Sequence, residues 1–167
     1  SEGAVVFENE LMQLVQYKPL TETVQRRPLL IIPPWINKFY ILDLKPRNSF
    51  IRFAVAQGLT VFVISWVNPT KALAHKSFED YLLEGPLTAM DAIARQTGEA
   101  ELNVIGYCLG GTLSACLLAH EAAKGRQRIK SATFFTTMLD FSEPGDLAVF
   151  IDDEQLERLD QHMAKKG

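Results

Sequence analysis

Hydrophobic residues in this chain gather into short runs, and the stretches between the runs change period. RRPLLIIPP holds a continuous apolar run closed by Pro33 and Pro34. TVFVISWVNP holds a second, stopped at Pro69, ELNVIGYC a third and IKSATFFTTMLDF a fourth. Apolar runs this short suit strands of a parallel sheet buried on both faces. The intervening segments read as helices. NSFIRFAVAQG offers Asn48 or Ser49 as a cap and Gly58 as a stop. In SFEDYLLEGPLTAMDAIARQTG, Ser77 and Asp80 have capping-box spacing, Gly85-Pro86 predicts a kink or division, and Gly98 marks the end. GGTLSACLLAHEAAKG is a helix ended by Gly125.

At the start, VVFENELMQLVQY intersperses Phe7, Leu11 and Val15 with polar residues and predicts one or two strands. At the end, the turn SEPGD leads into DDEQLERLDQHMAKK, an amphipathic helix. Alternation of strand and helix predicts an α/β fold whose mostly parallel sheet extends from about Leu29 to Leu139. The residues after Asp140 form a different region.

Composition narrows the partners rather than the fold. With 47% hydrophobic and 22% charged residues, the chain has the makeup of a soluble globular protein. A net charge of -3 gives no electrostatic case for nucleic acid, and Lys165-Lys166 reads as solvated surface. Cys108 and Cys116, eight apart across a predicted turn and helix, fit neither a disulfide nor a metal site and suggest a reducing, cytosolic setting. No apolar run reaches the roughly 18 residues of a membrane span, and no signal peptide is visible. A first residue that is Ser1 and a last segment in mid-helical pattern suggest a piece of a longer protein.

The chemistry concentrates at GYCLG, Gly106 to Gly110, where strand gives way to helix. The pattern is glycine, any residue, nucleophile, any residue, glycine, with cysteine in the nucleophile's place. A nucleophile in a sharp strand-to-helix turn has strained backbone, and side chains two residues to either side would collide unless they are glycines. Gly111 allows the helix start to pack closely as well. The helix dipole and free N–H groups favour negative charge at that position, and thiolate is the attacking species. The Leu109 N–H would point at an oxyanion formed on an attacked carbonyl. The bland alternative is a small buried thiol in a glycine-rich turn.

A second oxyanion donor is expected from the loop after the first central strand, PPWINKFY. Proline has no N–H, so Trp35, Ile36 or Asn37 must supply it, and Ile36 is the expected donor. The competing reading is a proline-stiffened turn with Trp35 as packing.

PPWINKFYILDLKP, VFVISWVNP, GYCLGGTL and FFTTMLDFSEPGDLAVFID, in that order, resemble the polyhydroxyalkanoate synthases, class I in particular. The likeness runs from about Phe7 to Glu154. It implies an α/β-hydrolase core, present here as the nucleophile half over residues 1–140, and the beginning of a cap over residues 141–167. The implied activity is polymerisation of (R)-3-hydroxyacyl-CoA into polyester with release of CoA, through an acyl group on Cys108, with Leu109 and Ile36 as backbone oxyanion donors. No cofactor is implied, because CoA is part of the substrate. Implied partners are the growing polyester chain, a second copy in a homodimer, the remainder of the same protein and the surface of cytoplasmic storage granules.

In that fold the acid and then the histidine follow the nucleophile. Of the residues present, His120 lies late in the elbow helix and runs away from the catalytic face. His162 sits in a charged helix, and His75 reads as a solvated loop residue. Asp140 closes the fourth strand and could face the site, although a cap of the SEPGD turn is the stronger reading. The resemblance therefore places the catalytic Asp and His outside this chain and predicts no turnover from it alone. Two other functions share the elbow: a thioesterase or lipase-like hydrolase, and a non-catalytic module with a structural or redox-sensing thiol.

Overall fold

The computed structural model describes residues 1–166. Six strands form one sheet. β1 (Gly3–Glu8) and β2 (Met12–Tyr17) are an antiparallel hairpin, so the early segment yields two strands. β3 (Leu29–Ile32) follows, then a small antiparallel pair, β4 (Asp43–Lys45) and β5 (Asn48–Ser49), which the apolar pattern did not predict. Helix α1 (Phe50–Ala56) is capped by Ser49, whose Oγ accepts the Arg52 N–H at 2.8 Å. Of the two candidate caps, Ser49 is the one used.

β6 (Val61–Trp66) leads to α2 (Phe78–Leu82), a wide turn over Leu83–Leu87, and α3 (Thr88–Thr97). The Ser77–Asp80 capping box is formed, and the kink falls at Gly85, whose backbone is non-helical. β7 (Leu102–Tyr107), α4 (Leu109–Ala123), β8 (Ile129–Phe135) and α5 (Asp153–Lys166) complete the chain. No helix among the described residues is long and apolar enough to cross a membrane.

The strand order is β1-β2-β6-β3-β7-β8, with β6, β3, β7 and β8 mutually parallel and the β1–β2 hairpin added antiparallel at one edge. Successive residues of β3 serve opposite faces, as a period of two requires. Leu29 and Ile31 join Ile51, Ala54 and Val55 of α1 in one cluster. Leu30 and Ile32 join Met90 and Ile93 of α3 and Leu113 and Leu117 of α4 in the other.

The chain leaves β3 towards β6 and then returns across it to β7. That reversal opens a crevice at the carboxyl ends of β3 and β7, where ligands bind in open α/β sheets. Ile32 pairs with Gly106, so the loop after β3 and the elbow after β7 start at the same level.

The fourth strand departs from expectation in two ways. β8 ends at Phe135, not near Leu139, because Thr136 turns the chain with φ 46°. Nor is it buried on both faces: Lys130, Ser131, Thr133 and Phe134 are exposed, as befits the edge strand of this sheet.

A charge cluster centred on one buried carboxylate ties α3 and α4 to the segment leading into β8. Glu121 is 3% exposed and takes two hydrogen bonds from Arg128, at 2.8 and 2.9 Å, and an ion pair from Arg126. Arg128 also reaches Asp91 at 2.6 Å. The Arg128 hydrogen bonds hold the Glu121 carboxyl below its ordinary range, against burial, which raises it. A carboxylate with a depressed folded value stabilises the fold above its unfolded value, about pH 4.3, and that contribution is lost as pH falls through the folded value. Arg128→Ala leaves a buried charge short of its main partner, at a cost of about 3 kcal/mol near neutral pH. Urea unfolding of the full-length protein should show that deficit at pH 7 and a shrinking one as pH falls below 4.

Candidate active site

Cys108 is the single residue between β7 and α4, and its backbone lies at φ 53°, ψ -124°. Non-glycine residues adopt such angles at a cost of about 1–3 kcal/mol, so the surroundings must enforce them. Three main-chain hydrogen bonds do so. The Cys108 N–H donates to the Phe135 carbonyl at 2.9 Å, and the Cys108 carbonyl accepts from Gly111 at 2.8 Å and Thr112 at 3.3 Å.

Close approach explains the glycines. A Cβ on Gly106 would lie 2.5 Å from the Gly111 Cα and 2.6 Å from Ser114 Oγ. On Gly110 it would lie 2.0 Å from the Ile32 carbonyl oxygen, and on Gly111 1.9 Å from Thr137 Oγ1. The helix start is therefore pressed between the end of β3 and the segment after β8. One hydroxyl fastens it there, Thr112 Oγ1 donating to the Met138 carbonyl at 2.8 Å, while Ser114 Oγ donates within α4 to the Gly110 carbonyl at 2.6 Å.

The thiol is half-buried and free, as is that of Cys116. As the first residues of α4, Leu109 and Gly110 have no carbonyl one turn back within the helix. Among the described residues neither amide has another acceptor. An N–H pair beside a thiol, with no partner of its own, is suited to an anion forming on a carbonyl at that sulfur.

The loop after β3 begins against the elbow, since a Cβ on Gly110 would run into the main chain of Ile32 and Pro33. Of the three candidate second donors, Asn37 turns its N–H to the Pro34 carbonyl at 3.4 Å. The amides of Trp35 and Ile36 have no acceptor among the described residues, and Ile36 is 65% exposed. The side chain of Trp35 is packed, with ring centroids 5.3 Å from Tyr81, 5.9 Å from Phe78 and 6.2 Å from Trp66. Packing by its ring and free amides in its backbone are both features of this loop.

The other candidates fall elsewhere. Asp140 lies five residues past the end of β8, and its Oδ1 accepts from the Ser142 N–H at 2.9 Å and from Ser142 Oγ at 2.6 Å. Those bonds hold its carboxyl below the usual range and make it the cap of a turn. His120 is in the last turn of α4, His75 is exposed in the β6–α2 connection, and His162 is exposed on α5. Among the described residues no histidine is hydrogen-bonded to Cys108. Sequence reading missed Trp66, Thr137 and the Phe135 carbonyl. Only Trp66 left a signal, an indole N–H in an apolar strand that must find an acceptor.

A family model described as the poly-beta-hydroxybutyrate polymerase (PhaC) N-terminus matches residues 1–54. A poly(3-hydroxyalkanoate) polymerase of Methylorubrum extorquens is 57% identical over 99% of this chain and 27% of its own length. The polymerase subunit PhaC of Cupriavidus necator is 48% identical over 92% of this chain and 26% of its own. Solved structures agree on the fold. An esterase of Rhizomucor miehei superposes with a TM-score of 0.60 at 16% identity, covering 93% of this chain and 47% of that one. A lipase of Bacillus licheniformis gives 0.61 at 16% identity, over 81% and 51%. With its central parallel sheet and elbow, the chain has an α/β-hydrolase fold. It spans about a quarter of the curated relatives that it matches along nearly its whole length, relatives that are named poly(3-hydroxyalkanoate) polymerases.

Proposed function

We propose that this chain is the nucleophile-bearing part of an acyltransferase that polymerises (R)-3-hydroxyacyl-CoA into polyester and releases CoA. The observation that carries the reading is Cys108, held at φ 53° between β7 and α4 beside two amides without acceptors. In the reaction, the Cys108 sulfur attacks the thioester carbonyl, and the oxyanion accepts hydrogen bonds from the N–H groups of Leu109 and Ile36. Collapse expels the CoA thiolate, which takes up a proton, and leaves the acyl group on sulfur. Exchange between thioesters is nearly isoenergetic, so the acyl group stays activated. The hydroxyl of a growing chain then attacks the acyl carbon and loses its proton to a base; the C–S bond breaks, the Cys108 thiolate leaves, and the more stable oxygen ester forms.

The base and its carboxylate come from the part of the polymerase that this chain does not span, and no cofactor takes part. Residues 1–140 serve as the first part of the core, and residues 141–167 begin the cap, of which Gly167 lies outside the described residues. The complete protein acts as a homodimer at the surface of cytoplasmic granules. Incubating that protein with 3-hydroxybutyryl-CoA tests the reading: release of CoA together with polymer is expected. Release of CoA with free hydroxy acid as the only product overturns it in favour of a hydrolase.

A further inference from the structure

We infer that Trp66 is the positioning residue for the second oxyanion donor, an inference that rests on the acyl-transfer reading above. The loop that carries Ile36 has few means of holding its own shape. Pro33 and Pro34 have no N–H to donate, and the one main-chain bond within the turn, from Asn37 to Pro34, is long at 3.4 Å. What fixes it comes from the neighbouring strand. Trp66 ends β6, which runs parallel to β3, and its indole Nε1–H donates to the Pro33 carbonyl at 2.7 Å in a buried site.

The same ring meets Trp35 edge-on at 6.2 Å, so one side chain grips the loop both before and after Pro34. Its own position is set from behind. Tyr81 lies 5.3 Å away, and Gly85 approaches so closely that a Cβ there would come within 2.4 Å of the ring. The kink in the α2–α3 segment thus has a use: it brings Gly85 against the indole. Because a Cβ on Gly110 would lie 2.7 Å from the Pro33 carbonyl carbon, the residue that Trp66 holds also lies beside the start of α4. The one hydrogen bond from the Trp66 side chain among the described residues goes to Pro33, not to the sulfur. Trp66 acts by setting where the Ile36 N–H lies relative to Cys108.

Loss of one oxyanion donor costs about 100- to 1,000-fold in kcat. Trp66→Phe keeps an aromatic ring on Gly85 and Tyr81 but removes the donor to Pro33. In the full-length polymerase it should lower kcat for CoA release about 10- to 100-fold, as expected for a donor misplaced rather than deleted. The KM for 3-hydroxybutyryl-CoA should stay within twofold, and so should the rate at which iodoacetamide alkylates Cys108. Gly85→Ala pushes the ring from its other side and should give the same pattern, which keeps the inference testable if Trp66→Phe does not fold. A kcat within twofold of wild type in either folded variant overturns the inference, as does a fall in Cys108 alkylation that parallels kcat. Cys108→Ala, assayed alongside, separates the two readings. If it is inactive while Trp66→Phe is unimpaired, only the positioning role fails; turnover by Cys108→Ala overturns both.

Discussion

Cys108→Ala in the full-length polymerase should reduce CoA release from 3-hydroxybutyryl-CoA to background, a loss on the order of 10^5-fold or more. The other thiol of this chain cannot stand in. Cys116 lies eight residues further along α4, about 12 Å by helix rise. The fold should be unaffected within about 1 kcal/mol, since alanine keeps a Cβ at the same strained backbone and the surface change is small. Cys108→Gly separates the two effects more sharply: it relieves the positive φ and should raise the melting temperature while activity stays absent. A strained residue whose removal improves stability and destroys turnover is retained for its chemistry. CoA release measured with a thiol reagent, beside a thermal melt of each variant, decides the matter.

Gly110→Ala should be nearly as severe for a different reason. The new Cβ would sit 2.0 Å from the Ile32 carbonyl oxygen and 2.7 Å from the Pro33 carbonyl carbon. Both are main-chain atoms, so no side chain can swing aside, and α4 must separate from β3. Overpacking of this kind costs about 3 kcal/mol or more. It also displaces Leu109 relative to the donor loop, and a 1 Å error in such an arrangement costs about 100-fold in rate. Gly98→Ala provides the comparison. Its Cβ would meet nothing within 4 Å, and only φ 76° is strained, so a loss of about 1 kcal/mol with normal activity is expected. Chemical denaturation and kcat measured on both variants test the contrast.

Much of this arrangement was legible in the residues. The apolar runs at 29–32, 61–66 and 102–107 became the central strands because four to six apolar residues between turn formers have no other way of being buried on two faces. The elbow could be read from Gly106, Cys108 and Gly110 because steric exclusion at a sharp turn leaves few residue types possible. Gly85-Pro86 and the Ser77–Asp80 box acted locally, and local signals carried through to the structure.

Where long-range contacts decide, the sequence was weaker. IKSATFFTTMLDF has one β-rich pattern, yet the strand stops at Phe135 because Thr136 turns the chain and Thr137 packs over Gly111. Moving the strand's end also moved Asp140 away from it, which left that carboxylate to cap Ser142. The choice among Trp35, Ile36 and Asn37 could not be made from residue types, since each has one backbone N–H. It narrowed only when Asn37 was found turned back on Pro34. The bond from Trp66 to Pro33 spans 33 residues, and no local pattern encodes it.

The central claim is that acyl groups pass through the sulfur of Cys108. Its most direct test is to mix the full-length polymerase with 3-hydroxybutyryl-CoA, quench in acid within the first turnover, digest with protease and weigh the peptides. A hydroxybutyryl group in thioester linkage on the peptide containing Cys108, released by hydroxylamine and absent from the peptide region around Cys116, is the predicted result. CoA release and polymer growth with Cys108 unmodified throughout would contradict it.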